Sequence, residues 1–212
     1  MAAGFHTAGS TRARVTLPGL CGATRIATRG GNIPVEWLRP GDLVLTRDAG
    51  YLPLLWAGPG HSGGPGHPTI RLPRPPADPA ATALRLAAGH GILVTIAERA
   101  ARFGTAEALV DAGRAIGARP EPARRDAQHP FHLLLGSHEI VLADGVWVET
   151  LAAAAVAHCL PPAALPLAEP LLRRGPAPVR PRIDRSDLGG GCFPAPSTPH
   201  RSPPKNSSFR VA

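Results

Sequence analysis

The chain has 212 residues and a formal net charge of +8; 43% of its residues are apolar, but only 4% are aromatic. Aliphatic side chains must therefore fill the core, and because no apolar run reaches about 18 residues, we expect no membrane-spanning helix. All basic residues except Lys205 are arginines, and they form no platform with aromatic residues, so we do not expect a nucleic-acid partner.

The first residues contain no continuous apolar stretch of the kind found in a standard secretory signal. We interpret residues 1–19 as a flexible leader, and the compartment stays open between the cytoplasm and export without a standard signal peptide. The cysteines, Cys21, Cys159 and Cys192, are odd in number and lack metal-ligand spacing. They therefore predict no disulfide framework and no metal site, and the sequence predicts no cofactor.

The predicted elements from residue 20 onward are short strands separated by turns. Apolar runs, and runs that alternate between polar and apolar residues, are typical of buried and half-buried strands. Such runs lie at 24–28, 33–38, 43–48, 51–58, 69–72, 83–96 and 130–151. Asp144-Gly145 between two apolar runs indicates a β-hairpin, and helical content is confined to 97–113 and 152–160. The sequence therefore predicts an all-β domain over residues 20–155.

The composition changes after Leu160. Residues 161–212 hold 12 prolines, eight basic and three acidic side chains, and few apolar clusters. Such a segment buries too little apolar surface to offset the entropy lost on ordering. We therefore predict that residues 156–212 form a disordered tail rich in proline and arginine.

Three stretches, taken in order, resemble one known module. They are TRIATRGGNIPVEWLRPGDLVLTRDAG (24–50), LRLAAGHGILV (84–94) and HPFHLLLGSHEIVLADGVWVET (129–150). Together they look like the Hint (hedgehog/intein) module, and more narrowly the bacterial Hint-domain family. The resemblance implies an all-β fold shaped as a flattened horseshoe with two pseudo-symmetric halves. It also implies autoprocessing, a self-cleavage through an N-to-S acyl shift at a cysteine that opens the domain.

The resemblance assigns roles in that reaction to particular residues. Cys21 would attack the carbonyl of Leu20 and convert the Leu20–Cys21 amide into a thioester, so the chain's own N-terminal segment would be the substrate. The leaving amide nitrogen needs a proton, and His90 falls on the histidine of the family's Thr-x-x-His motif. His138 falls on the histidine of the C-terminal hairpin motif and would support it.

The sequence also departs from the family pattern. Ala87 stands in place of the motif's threonine, and Cys21 lies two residues too close to the first strand, so that an ungapped match places Gly19 at the family's cysteine. Glu149 and Thr150 replace the His-Asn pair of splicing inteins, which excludes the asparagine cyclisation that splicing needs. A metal site formed by His129, His132 and His138 is not expected, because their spacing does not converge on a strand pair.

Two functions therefore stay open from the sequence. The first is a self-cleaving Hint domain that uses Cys21, His90 and His138. The second is a degenerate Hint domain that acts as a structural or interaction module with a protein partner not identified by the sequence.

Overall fold

The computed structural model describes residues 18–60, 69–73, 83–96, 100–115, 117–121, 129–175 and 177–184. These residues form mostly antiparallel β-structure, which confirms the predicted all-β fold. The strands are β1 (Arg25–Thr28), β2 (Gly31–Pro34), β3 (Leu43–Thr46), β4 (Gly50–Pro53), β5 (Trp56–Pro59), β6 (Thr69–Arg71), β7 (Arg85–Ala87), β8 (Gly91–Thr95), β9 (Glu107–Asp111), β10 (Arg119–Glu121), β11 (Phe131–Leu134), β12 (Ile140–Ala143) and β13 (Val146–Glu149).

The helices of the described residues are short. The α-helices are α1 (Ala100–Phe103), α2 (Val156–Cys159) and α3 (Glu169–Arg173). The 3-10 helices are Val35–Trp37, Ala112–Arg114, Ala153–Ala155 and Pro162–Ala168. No helix in this part of the chain is long and apolar enough to cross a membrane. The predicted leader before residue 18, and the predicted tail after residue 184, lie outside the described residues.

The main sheet has eight strands in the order β2-β1-β3-β12-β13-β8-β9, with β4 paired to β3. A three-stranded sheet, β10-β6-β7, and a two-stranded sheet, β11-β5, complete the β-structure of the described residues. In the main sheet β12 contacts both β1 and β3. The first and last hairpins of the domain are therefore neighbours, and the site described below lies beside residues from both ends.

Threonine and glycine close the two N-terminal hairpins in the same way. Thr28 pairs with Gly31, and Thr46 pairs with Gly50. In each pair the threonine hydroxyl donates to the glycine carbonyl at 2.7 Å, and the glycine has a positive φ that other residues rarely adopt. The predicted Asp144-Gly145 turn joins β12 to β13, with positive φ at both residues, as a two-residue hairpin turn of this kind requires.

The structure differs from the sequence prediction at 97–113. The predicted helical content is limited to α1 and the short 3-10 turn at Ala112–Arg114, and β9 lies between them. β9 pairs with β8 over five residues, and its central residues Ala108, Leu109 and Val110 are buried. A short apolar run of this kind is typical of a strand that is buried on both faces, and periodicity alone does not separate it from a buried helix.

The structure also differs from the predicted disordered tail. Residues 156–175 fold into α2, the Pro162–Ala168 3-10 helix and α3, and they pack onto the domain. A second core cluster holds them there; its buried members are Leu134, Leu151, Val156, Cys159, Leu160, Ala164, Ala168 and Leu171. The prolines do not prevent this folding, since they lie at helix starts and in a 3-10 helix, where a missing N–H costs little.

Residues 177–184 continue the ordered structure, with a bend at Val179 and Arg180 and a single β-bridge at Arg182; we name this segment the strap. Its Ile183 lies in the main core cluster, and its Val179 packs against a third cluster formed by Leu93, Leu109, Ile140 and Trp147. The strap follows α3 and reaches the edge strand β9. The ordered domain thus extends to residue 184.

Candidate active site

The chain enters the domain through residues 18–21, which we name the entering segment. Leu20 exchanges two backbone hydrogen bonds with Phe131, at 2.9 and 2.8 Å. On the other side, Ala87 donates to the Gly19 carbonyl at 2.8 Å and Cys21 donates to the Arg85 carbonyl at 3.1 Å. The entering segment is therefore fixed between β7 and β11, and Leu20 is 1% exposed.

His90 faces the peptide nitrogen of Gly19. The Gly19 N–H donates to His90 Nδ1 at 2.8 Å, within buried surroundings. The tight link between β7 and β8 sets the backbone of His90, since its N–H donates to the Ala87 carbonyl and its own carbonyl accepts from Ala112. An imidazole whose Nδ1 accepts a hydrogen bond carries its proton on Nε2. In this contact, His90 is therefore the acceptor and the amide is the donor.

Burial keeps His90 neutral. Loss of solvent is the largest effect on its pKa, and the charge of Arg182 adds to it; together they outweigh the attraction of Glu149 and lower the pKa from 6.5 to about 4. Among the described residues, His90 Nε2 has no hydrogen-bond partner.

His132, in β11, lies at the same small cavity. The cavity has a volume of about 10 Å³ and is lined by Pro18, Leu20, His90, His132, Leu133, Glu149, Thr150 and Leu151. This is close to the least space that holds one water molecule. Burial, and then the charge of His90, lowers the pKa of His132 to about 4. The ring lies against Gly60, where an added Cβ would overlap it.

Glu149 links His138 to the backbone beside His90. Its Oε1 accepts from the N–H of Gly91, the neighbour of His90, at 2.7 Å, and from Arg182 Nη2 at 2.6 Å. Its Oε2 lies 3.3 Å from His138 Nε2. Burial would raise the pKa of Glu149, but the hydrogen bond with His138 and the charge of Arg182 prevail and lower it to about 2. Glu149 is thus a buried carboxylate that accepts hydrogen bonds from the Gly91 N–H and the Arg182 guanidinium and lies beside His138.

Cys21 lies two residues beyond the peptide that faces His90. It is 4% exposed, and its carbonyl accepts from the Thr24 hydroxyl at 2.7 Å. Cys21 and Cys159 are both thiols, whereas Cys192 is outside the described residues. Of the three residues predicted for the site, the structure places His90 and His138 around Glu149, while the amide of Cys21 pairs with β7. The nucleophilic role of Cys21 stays a prediction.

The position before Leu20 leaves no space for a side chain. A Cβ on Gly19 would overlap Cβ of Pro130, far inside the 3.0 Å limit that real Cβ atoms respect. Gly19 also has a φ of +154°, which L side chains rarely adopt. The residue that an ungapped family match puts in the cysteine's place is therefore fixed as glycine by its surroundings.

Sequence reasoning missed two members of this site. Glu149 attracted notice only because it replaces a family histidine, and its contact with His138 joins residues 11 positions apart across the β12–β13 hairpin. Arg182 lies in the segment predicted to be disordered. A buried acid in an otherwise apolar strand, such as Glu149 in VWVE, is the signal that a cation must be near. No sequence signal identifies Arg182 as that cation.

The described residues hold no group of three or more His, Cys, Asp or Glu side chains arranged to bind a metal ion. His129, His132 and His138 form no such group. Instead, His90 accepts a hydrogen bond from the Gly19 amide, His138 lies beside the Glu149 carboxylate, and His132 lines the cavity.

One of the comparisons with known proteins identifies a family. The model of the Hint domain family matches residues 18–155, which is more than half of the chain. No curated protein matches. Among solved structures, the chain is similar to the gp41-1 intein, with 12% identity and a TM-score of 0.40 over 62% of this chain and 97% of that chain.

Two further intein structures resemble the chain to a similar degree. A triple variant of the gp41-1 intein has 13% identity and a TM-score of 0.39, over 62% of this chain and 98% of that one. The AceL NrdHF class 3 split intein, as a glutathione-linked, splice-inactive variant, has 11% identity and a TM-score of 0.36, over 62% and 96%. At these scores the structural likeness carries no argument of its own, and the family match over residues 18–155 decides: the chain belongs to the Hint-domain family.

Proposed function

We propose that this domain is a Hint module that holds its entering segment without cleaving it and serves as a structural or interaction module. The observation that carries the proposal is the 2.8 Å hydrogen bond from the Gly19 N–H to His90 Nδ1. An N-to-S acyl shift needs a nucleophile on the residue whose nitrogen faces the histidine. At that place glycine offers neither a thiol nor a hydroxyl.

The neutral state of His90 supports the same function. A histidine that releases an amine must donate a proton to the amide nitrogen. His90 accepts a hydrogen bond from that nitrogen, and its pKa of about 4 leaves it neutral near pH 7. The contact therefore stabilises the intact peptide bond between Pro18 and Gly19 and offers no acid for its cleavage.

The predicted cleavage at the Leu20–Cys21 bond is the second candidate. One observation favours it: a shift of the chain by two residues would bring the Cys21 nitrogen to His90 and keep every side chain on the same face of the strand. The shift has a large cost, because it takes the Leu20 side chain out of its buried place and moves Cβ of Cys21 into the space of Pro130. The observed register is thus the less costly arrangement.

Mass spectrometry of the intact full-length chain separates the two candidates. The purified protein is incubated near pH 7 with and without dithiothreitol, beside Cys21→Ala as the matched control. We expect both proteins to keep their full mass, with thiol or without it.

Two results would contradict the proposal. Loss of residues 1–20 from the wild type but not from Cys21→Ala would assign the nucleophile to Cys21. Loss of residues 1–18 from both proteins would show that the Pro18–Gly19 bond is cleaved without a thiol.

A further inference from the structure

The strap adds a strand to the outer edge of β9. Leu109 of β9 donates to the Pro181 carbonyl at 2.8 Å, and its own carbonyl accepts from Ile183 at 2.9 Å, which pairs Leu109 with Arg182 in parallel. β9 is the last strand of the main sheet, and its other edge pairs with β8. The strap thus covers a sheet edge that would otherwise present unpaired backbone groups.

Arg180 and Arg182 of the strap pair with acids of β9 and of neighbouring parts of the main sheet. Arg180 contacts Glu107 at 2.9 Å and Asp48 at 2.8 Å. Arg182 contacts Asp111, and it reaches Glu149 at 2.6 Å. Glu107 and Asp111 lie four residues apart in β9 and therefore share one face of that strand, so both arginines meet acids on the same face.

The apolar residues Val179 and Ile183 of the strap contact two different core clusters, one on each face of the main sheet. Val179 packs against the cluster around Trp147, and Ile183 lies in the main core at 5% exposure. The Val179 N–H also faces His138 Nδ1 at 3.4 Å. The edge of β9 therefore contacts the strap in two ways. Acids pair with its arginines, and apolar residues pack against Val179 and Ile183.

Few interactions other than charge hold the strap to the domain. It makes two backbone hydrogen bonds with β9, and Ile183 is its one buried residue. It follows Gly175, which has a φ of +84° and no neighbour within 4 Å of an added Cβ. It also lies beyond residues 18–155, the span of the Hint family match. In these features the strap is similar to a bound peptide that belongs to the same chain.

We propose that the edge of β9, with Asp48, Glu107, Asp111 and Glu149, is a binding groove for an extended protein segment with the pattern Arg-x-Arg. The strap fills this groove in cis, and a partner protein that carries the same pattern takes its place. The inference rests on the proposed function, because it names the partner chemistry of a module that binds and does not cleave.

A chain cut after folding tests the groove. A protease recognition sequence is inserted after Gly175 of the full-length protein, and the folded protein is cut and passed through gel filtration. A labelled peptide of residues 177–184 (APVRPRID) is the probe, and the same peptide with both arginines changed to glutamine is the matched control. Fluorescence anisotropy reports binding to the cut and the uncut protein.

We expect the cut strap to stay with the domain, or the probe to bind once the strap has left. The control peptide binds at least about tenfold more weakly, because it lacks both charge pairs. The uncut chain binds the probe at least about tenfold more weakly than the cut chain, because the tethered strap competes at a high effective concentration. Release of the strap without binding of the probe, or equal binding of the two peptides, would overturn the inference.

A second measurement covers the case in which the insertion prevents folding. In the full-length chain with Arg180→Gln and Arg182→Gln, amide hydrogen exchange at Leu109 and Ile183 should be at least about tenfold faster than in the wild type, because the strap opens more often. Unchanged exchange would overturn the inference. Failure of the groove in a chain of intact mass removes this inference alone, whereas self-cleavage of a chain that binds the probe removes the proposed function alone.

Discussion

The entering segment and the strap both bring extended chain to the histidines, but different forces hold them. The entering segment lies between two strands, with backbone hydrogen bonds on both sides and Leu20 fully buried. The strap pairs on one side only, and ion pairs from Arg180 and Arg182 fix it. Burial and backbone pairing make a permanent contact, whereas partly exposed charge pairs make one that salt and competitors can weaken.

This difference explains which end of the chain is suited to exchange. The segment that the Hint reaction would cleave is the one that the fold holds most firmly, through the Gly19 amide on His90. By our proposal, the strap, which lies outside the family span, is the segment that a partner displaces. We therefore distinguish a fixed side of the site, the contact of the entering segment with His90, from a proposed movable side, the contact of the strap with Glu149.

The largest effect is expected for Leu20→Ala, which tests the fixed side. Leu20 is 1% exposed in the main core cluster, so we expect a loss of about 2–5 kcal/mol in the free energy of unfolding from the lost burial and the cavity. Urea denaturation measures it. Leu172→Ala, at a leucine that is 48% exposed, is the control and should stay within about 0.5 kcal/mol of the wild type. Similar small losses for both variants would mean that burial does not hold the entering segment.

Gly19→Cys, which restores a thiol at the position facing His90, is expected to have the next largest effect. The new Cβ overlaps Pro130, so the free energy of unfolding should fall by about 1–3 kcal/mol. Adding Pro130→Gly removes the overlap and should recover part of the loss. Gly30→Cys is the control, since a Cβ there meets only Thr28 Oγ1 at 3.7 Å. A Gly19→Cys protein as stable as the wild type would show that the entering segment moves away from Pro130 at little cost in free energy.

Lowering the pH should reduce the free energy of unfolding through the buried histidines His90 and His132 on the fixed side. The pKa of His90 and of His132 is about 4 in the folded state against 6.5 when unfolded, so between these values the unfolded chain binds more protons. Their contribution is present above pH 6.5 and is lost as the pH falls toward 4. The urea midpoint should be lower at pH 5 than at pH 7.5, and His90→Gln should reduce that difference.

His158→Gln, which removes an exposed histidine, is the matched control for the pH experiment. A stability that does not change between pH 7.5 and pH 5, or a pH dependence that His90→Gln leaves as it is, would contradict the assignment. Glu149, with a pKa of about 2 against 4.5, adds a further loss only at lower pH, between these two values.

The smallest effect is expected on the movable side. Arg182→Gln removes a hydrogen-bonded cation from the buried Glu149, and we expect a loss of about 1–2 kcal/mol in the free energy of unfolding. Salt should weaken the wild type in the same direction and have less effect on the variant. Arg173→Gln breaks an exposed pair with Glu169 and should cost about 0.5 kcal/mol or less. Equal losses for the two variants would mean that the strap's charge pairs do not stabilise it.

Local pattern was enough to predict the β-structure, whereas the site residues were assigned only through the family resemblance. Alternating apolar runs and glycine turns predicted the strands, and Asp144-Gly145 predicted the β12–β13 hairpin, because a two-residue turn is set by the φ values of its own residues. The family motifs pointed to His90, which lines the same cavity as Glu149, and to His138, which lies 3.3 Å from Glu149. Pattern did not distinguish β9 from a helix, since its buried run reads the same in both.

The sequence by itself determined the all-β class, the hairpin turns and the histidines, since each depends on neighbouring residues or on a short motif. Only the tertiary structure decided which amide faces His90, that Pro130 fills the space beside Gly19, and that residues 156–175 and 177–184 are ordered. It also decided that Arg182 reaches Glu149. These contacts join residues that are distant along the chain, and their energies come from burial and charge pairing that exist only once the chain has folded.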